Sequence, residues 1–228
     1  MGTGRNSSSR DTKQKLVDGV LEIVRQQGIT AVSARSVATA AGANQALIFY
    51  HFGSVEELVA QACVLATEAR VSVYRERFAA VATVGDLLEL GREIRVAERA
   101  EGNLAVLAQT LAGAHGSERL AEATREGLDK WITEVRTALD RVLDGSPLAE
   151  LADPAGLAHA VSSGFLGLSL FETVDPGGAE QAVTALEQLA VLVDVLDELG
   201  PVATRVVRAK LRKTGRARQS APDRPQVS

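Results

Sequence analysis

The sequence predicts an all-α protein, with an N-terminal three-helix domain containing a helix-turn-helix and a larger C-terminal helical domain. Three observations carry this. Apolar residues recur at helical spacings of three and four. No alternating, β-branched run stands between turn signals. Short breaks rich in Gly, Pro, Asn, Asp and Ser divide the chain into helix-length segments. At 228 residues there is enough chain for a small domain joined to a larger one.

In the first helix, near residues 12–27, Leu16, Val17, Val20, Leu21 and Val24 form one apolar stripe. Gly28 is positioned to stop that helix in a left-handed cap. Ser33 reads as an N-cap, with Val32 and Val37 as the two halves of a hydrophobic staple. A helix of barely two turns follows, broken by Ala41-Gly42-Ala43, and Asn44 caps a third short helix running through Ile48 to about His51. Two short helices joined by a tight glycine-containing turn follow the helix-turn-helix plan. Gly53 ends the third helix, and Ser54-x-x-Glu57 forms a capping box for a much longer one reaching about Ala80. Further helices are expected near 86–101, 104–114, 117–143, 154–173, 178–199 and 202–213. The breaks between them are Gly85-Asp86, Gly102-Asn103, His115-Gly116-Ser117, Gly145-Ser146-Pro147, Asp175-Pro176-Gly177-Gly178 and Gly200-Pro201. The expected organisation is a basic disordered arm over 1–11, a helix-turn-helix domain over 12–54, a larger helical domain over 55–213 and a disordered basic tail over 214–228.

Charge is segregated along the chain. Residues 1–15 carry Arg5, Arg10, Lys13 and Lys15 against Asp11, a balance of +3, and residues 205–228 carry eight bases against Asp223, a balance of +7. With a net charge of -4, the body between them is -14. An acidic body with a basic N-terminal arm suits a protein that meets phosphate with one end; solvated tails are the alternative for both ends. No stretch of eighteen apolar residues free of charge is expected and no secretory leader is recognised, so the expectation is a soluble, cytoplasmic protein with no membrane partner. Cys63 is the only cysteine, which excludes an intramolecular disulfide and fits a buried, inert thiol. His51, His115 and His159 lie far apart without partners at metal-ligand spacing, so no metal and no cofactor are expected.

The chemistry of a helix-turn-helix lies at the front of its second helix, which enters the major groove while the first crosses the backbone. Gln45 supplies an amide able to pair with adenine, and Ala46 and Leu47 offer apolar groups to thymine methyls. Phe49, Tyr50 and His51 are expected on the exposed side, with Ile48 and Phe52 as buried anchors. Arg35 is in reach of guanine or a phosphate. The competing readings are Phe49 and Tyr50 as core beneath the long helix, and Arg35 as a solvated charge in an ion pair.

The stretch from Thr30 to Phe52, with its Gly42 turn and its Phe49-Tyr50-His51-Phe52 run, resembles the signature of the TetR family, over about residues 12–60. The resemblance implies base contacts by Arg35 and Gln45, operator-dependent contacts by Ala46 and Leu47, and backbone contacts by Phe49, Tyr50 and His51. Two departures stand out: Phe49 replaces a common Tyr, and Gly53-Ser54-Val55 lacks a common Lys. Fewer phosphate contacts imply a shallower salt dependence unless the basic arm compensates, by following the backbone or entering the minor groove.

The resemblance further implies a C-terminal domain that pairs with a second subunit and binds a small effector. Leu157, Val161, Gly164, Leu168 and Phe171, and then Leu186, Leu189, Val193 and Leu196, fall at helical spacing, two apolar stripes suited to a four-helix homodimer interface. Gly164 and Gly167 inside a helix fit close helix approach, and Ser162-Ser-Gly-Phe-Leu-Gly-Leu lacks the Lys-Ser/Thr of a phosphate loop. Asn103, Leu107, Trp131 and Phe165 are the candidate contacts for a small, largely hydrophobic effector, with core packing as the alternative for Trp131. His115, before Gly116 at a helix end, reads more readily as a dipole partner. The function expected is that of a DNA-binding regulator, most simply a repressor released from a palindromic operator by its effector. An enzyme is disfavoured because no catalytic motif is present, with Glu56, Glu57, Glu89 and Glu93 read as helix surface. A helical adaptor would leave the basic arm and the Gln45 to His51 set unexplained.

Overall fold

The structure is a computed structural model that describes residues 3–144, 146, 149, 153–197, 205–207 and 209–210. Its helices are α1 (Thr3–Gln27), α2 (Ala34–Ala41), α3 (Ala46–Phe52), α4 (Val55–Ala80), α5 (Val84–Ala100), α6 (Asn103–Gly113), α7 (Glu118–Leu143), α8 (Pro154–Phe171) and α9 (Pro176–Asp197), with a 3-10 turn at Ile29–Ala31 between α1 and α2. No strand occurs among the described residues. The expected helix near 202–213 and the tail 214–228 lie largely or wholly outside the described residues.

The chain divides into two compact units, one drawn from residues 1–75 and 92–131, the other from 76–91 and 132–228. In the first, Leu16, Val20 and Val24 of α1, Val37 of α2, Ile48 of α3 and Leu58 of α4 are each no more than 2% exposed and belong to one apolar cluster. Gly19 lets α1 lie close on α2, because a Cβ there would stand 3.4 Å from the Ala41 nitrogen. Cys63 and Leu120 close the same cluster. Burial pushes the Cys63 thiol above its ordinary pKa, which keeps it protonated and inert. In the second unit, Phe78, Leu90, Val135, Leu139 and Ala158 are buried, α8 packs on α9, and Arg141 donates to the Phe78 carbonyl in the last turn of α4.

Four features differ from expectation. The first helix begins at Thr3 rather than near 12, so the arm expected to be disordered is helical from residue 3. Between Met1 and Leu16 no Val, Leu, Ile, Ala or aromatic residue produces a periodic signal, yet extending an already anchored helix adds a hydrogen bond for each residue fixed. Gly28 does end α1, but at φ 86 and ψ 162 it keeps a positive φ outside the αL region, and it feeds the 3-10 turn. The break expected at Asp175-Pro176-Gly177-Gly178 instead opens α9: Pro176 begins the helix and the Asp175 carboxylate accepts from the Gly178 N–H at 2.9 Å. Lastly, α8 is 18 residues long and carries no charged side chain, so by length and composition it meets the requirement for crossing a membrane, and 11% of it is buried within the chain. Its serines and glycines had masked its apolar character.

The conformation of Gly28 is one that only glycine adopts at low cost. We expect Gly28→Ala to lower the unfolding free energy by about 1–3 kcal/mol, measured by urea denaturation. Gly91→Ala, in α5 with open space around it, is expected to be neutral or to stabilise by about 0.5–1 kcal/mol.

Candidate nucleic-acid interface

The two short helices are set by their ends. Ser33 caps α2: its hydroxyl accepts from the Ser36 N–H at 3.1 Å, and the Ser36 hydroxyl accepts in return from the Ser33 N–H at 2.9 Å. Gly42 closes α2 in the left-handed region at φ 59 and ψ 36. Asn44 then opens α3 by accepting from the Ala46 N–H at 2.9 Å, and Gly53, at φ 81, ends it. At 7 residues, α3 is far too short to persist by its own hydrogen bonds. Its position is fixed by Ile48, 0% exposed, and Phe52, 7% exposed, both in the cluster beneath.

With those anchors buried, the other faces of α3 point to solvent. Tyr50 is 80% exposed and Phe49 52%, so neither is core beneath the long helix. Gln45 and Ala46 are exposed. Leu47 is half-buried and packs on the cluster, which makes it the least available of the apolar pair expected at thymine methyls. His51 is half-buried, edge-on to the Tyr50 ring at 4.9 Å and to the Phe52 ring at 6.4 Å. Arg35 is exposed, without an ion-pair partner among the described residues, and borders a shallow depression with Ile23, Gln27, Ser36 and Thr39. A two-turn helix presenting an amide, two aromatic rings and an imidazole, with an unpaired guanidinium one helix away, matches the donors and apolar groups that duplex DNA offers its readers.

The entry to α4 corrects the sequence expectation. Ser54 accepts from the Glu57 N–H at 3.0 Å, as a capping box requires, but the Glu57 carboxylate is engaged elsewhere. It takes the Arg119 Nε at 2.7 Å and an Nη at 3.0 Å, together with the Gln61 amide at 2.8 Å. A guanidinium fork matches a carboxylate better than one backbone N–H does. Glu56 likewise accepts from Ser117, so neither carboxylate is plain helix surface. The first turn of α4, three residues beyond α3, is thereby tied to the start of α7.

Of the residues expected near an effector, Asn103 and Trp131 meet around one buried carboxylate. Glu98, 4% exposed, accepts from Arg70 at 2.9 Å, the Tyr74 hydroxyl at 2.7 Å and the Asn103 amide at 2.8 Å. Arg25 of α1 donates to the Asn103 carbonyl at 3.4 Å. The Trp131 ring lies 5.9 Å from that of Tyr74. Burial, then the hydrogen bond to Glu98, push the Tyr74 hydroxyl pKa upward, so it stays a donor. Leu107 is half-buried in the same unit; Phe165, half-buried, belongs to the other. Arg70, Tyr74 and Glu98 had no sequence signal, since their partners lie 24 to 28 residues away.

Among the residues expected at a subunit interface, Val161 is 38% exposed, Leu186 47% and Leu189 58%. Gly164 is exposed with open space where a Cβ would stand, as is Gly167. Leu157, Leu168 and Val193 are half-buried, and the Leu196 side chain lies outside the described residues. Phe171, Val191, Leu192 and Val195 extend the exposed apolar surface of α8 and α9.

Arg119 holds the Glu57 carboxyl at about 2 against an ordinary 4.5. A depressed carboxylate contributes stability that is fully present above 4.5 and is lost as pH falls through about 2. Because both side chains are partly exposed, that contribution is on the order of 1 kcal/mol or less. We expect Glu57→Gln to be less stable than the parent at neutral pH, and the gap to close across this acid window in pH-resolved denaturation.

The fold is shared with solved transcriptional regulators. A regulator assigned to the TetR family from Rhodococcus sp. is 20% identical, with 81% of this chain and 98% of that one covered and a TM-score of 0.66. The transcriptional regulator SCO7518 of Streptomyces coelicolor A3(2) is 20% identical over 78% of this chain and 98% of its own, with a TM-score of 0.63. E. coli NemR in its reduced form is 16% identical over 78% and 97%, with a TM-score of 0.62. At these identities the likeness establishes the fold. Among curated proteins, none matches the chain. Residues 16–62, which contain the helix-turn-helix, match the tetR family of bacterial regulatory proteins, in a chain that is helical throughout its described secondary structure.

Proposed function

We propose that the protein is a homodimeric repressor that holds a near-palindromic operator and is released from it by a small, largely hydrophobic effector. The observation that carries this is the exposed face of α3, where Phe49 and Tyr50 stand 52% and 80% open while Ile48 and Phe52 anchor the helix from behind. Base reading rests on Arg35 and Gln45, with Ala46 and Leu47 as apolar contacts; Phe49, Tyr50 and His51 hold the backbone. A regulator of this kind works in the cytoplasm, where its operator is.

Pairing is supported by the apolar surface of α8 and α9. A helix with no charge that is 11% buried within its own chain leaves a large surface to remove from water, and the open space at Gly164 and Gly167 permits close approach by a partner helix. A second subunit covering Leu157, Val161, Gly164, Leu168, Leu186, Leu189, Val193 and Leu196 accounts for both features without a membrane. The dimer then presents two α3 helices about one DNA turn, ~34 Å, apart.

Release follows from differential affinity. An effector contacting Asn103, Leu107 and Trp131 competes with the hydrogen bonds around Glu98, to which α4 contributes Arg70 and Tyr74. An effector preferring a shifted α4 weakens DNA binding by its preference for that state, typically about 1–3 kcal/mol.

Arg35→Ala and Tyr50→Ala are each expected to weaken binding to a duplex selected from a randomised pool by roughly 5–150-fold, with helical content unchanged. Unaltered affinity in both variants would remove these residues from the interface. In sedimentation, the parent is expected as a dimer at micromolar concentration and Leu189→Glu as a monomer; a monomeric parent would overturn the two-half-site mechanism.

A further inference from the structure

We infer that Arg10 and Lys13, on the N-terminal part of α1, grip the DNA phosphates beside the C-terminal end of α3, as a helical clamp that carries no sequence information. The inference rests on α3 being the DNA-reading helix, as proposed above, and deepens it by naming what supplies the charge.

The helix-turn-helix is poor in positive charge. Between residues 26 and 69 the only Lys or Arg is Arg35, set against Glu56, Glu57 and Glu68. Affinity for duplex DNA comes largely from cations that displace the counterions condensed on phosphates, and one arginine beside three glutamates does not provide it. Within this unit, Arg25 is engaged by Glu22 and Asn103, and Arg119 by Glu57. Arg10 and Lys13 differ: both are exposed, and neither has a carboxylate partner among the described residues.

Their position follows from one contact. The Lys13 ammonium lies 5.8 Å from the centroid of the Phe52 ring, and Phe52 is the last residue of α3. This seats the ammonium beside the C-terminal end of α3, where the helix would leave the groove and the phosphates come up on either side. Arg10, three residues earlier, shares that side of α1 about 4.5 Å further along the axis. Lys15 falls on a different side, in a depression with Asp18 and Glu22.

The helical state of this segment decides how it meets DNA. An α-helix with its side chains is about 10–12 Å across, whereas the minor groove is about 6 Å wide. A segment helical from Thr3 therefore does not enter the minor groove as an extended arm; it lies along the backbone.

The test measures binding as a function of salt for the full-length parent, Arg10→Gln, Lys13→Gln, the double variant and the conservative Lys13→Arg. The probes are a duplex selected from a randomised pool and a shuffled duplex of the same length and composition. Each glutamine substitution is expected to flatten the slope of log affinity against log salt by about 1.8, since about 0.9 is lost per phosphate contact and a dimer carries each contact twice. Affinity for both duplexes should fall by one common factor, and Lys13→Arg should retain the parental slope. Circular dichroism and unfolding midpoints check that the variants fold; Arg10, exposed and without a carboxylate partner, keeps the test valid even where Lys13→Gln unfolds. An unchanged slope in the double variant overturns the clamp alone, as does a loss confined to duplexes with A·T-rich flanks, which would mark a minor-groove arm. A parent that binds neither duplex at low salt overturns the clamp together with the proposed function, and Arg35→Ala, which should lower the ratio of selected to shuffled binding, keeps the two claims distinct.

Discussion

The structure depends on a constraint of length. A helix of 7 residues cannot nucleate and persist in water, because the entropy of fixing its first turn exceeds what so few hydrogen bonds return. It exists here because Ile48 and Phe52 are driven into an apolar cluster that α1, α2 and α4 have already assembled. Fully burying a side chain of this size contributes about 1.5–3 kcal/mol, and two of them on one short helix outweigh its poor intrinsic stability. The caps at Asn44 and Gly53 then fix where α3 begins and ends.

The cluster beneath α3 does not belong to the N-terminal helices alone. Leu58, Val59, Ala62 and Cys63 of α4 and Leu120 of α7 are part of it. Polar contacts run the same way: Glu57 and Glu56 at the start of α4 are held by Arg119 and Ser117, and Arg25 of α1 reaches Asn103 at the start of α6. Tightly packed interiors move between discrete arrangements rather than deforming smoothly. A displacement of α4 therefore reaches the seat of α3 through shared packing, and Glu98 is the point on α5 where hydrogen bonds from α4 and α6 converge.

What was legible in the sequence is what local chemistry controls. The ends of α2, α4, α5, α6 and α7 fall within two residues of expectation, because caps, glycine stops and three-and-four periodicity are written in adjacent residues. The solvent-facing set on α3 follows from the same logic, since placing Ile48 and Phe52 inward leaves Phe49 and Tyr50 outward. What was not legible depends on distance or on absence of signal. The Glu57–Arg119 pair spans 62 residues and won Glu57 away from its expected capping role. The polar start of α1 has no apolar periodicity to announce it, and the Asp175-Pro176 pair reads equally as a turn or as the first residues of a helix. Gly28 shows that the residue type was readable while its conformation was not: a positive φ was needed, but before the 3-10 turn its ψ is 162 rather than that of an αL cap.

The separation of anchors from solvent-facing side chains on α3 has an evolutionary consequence. Ile48 and Phe52 carry the fold, whereas Gln45, Ala46, Phe49 and Tyr50 touch little of the protein that holds them. Substitutions at the outward positions leave the cluster intact, so stability imposes almost no veto on them. After gene duplication, a scaffold of this kind is free to change the few side chains on one face, and two copies diverge in what that face presents long before they diverge in how they fold.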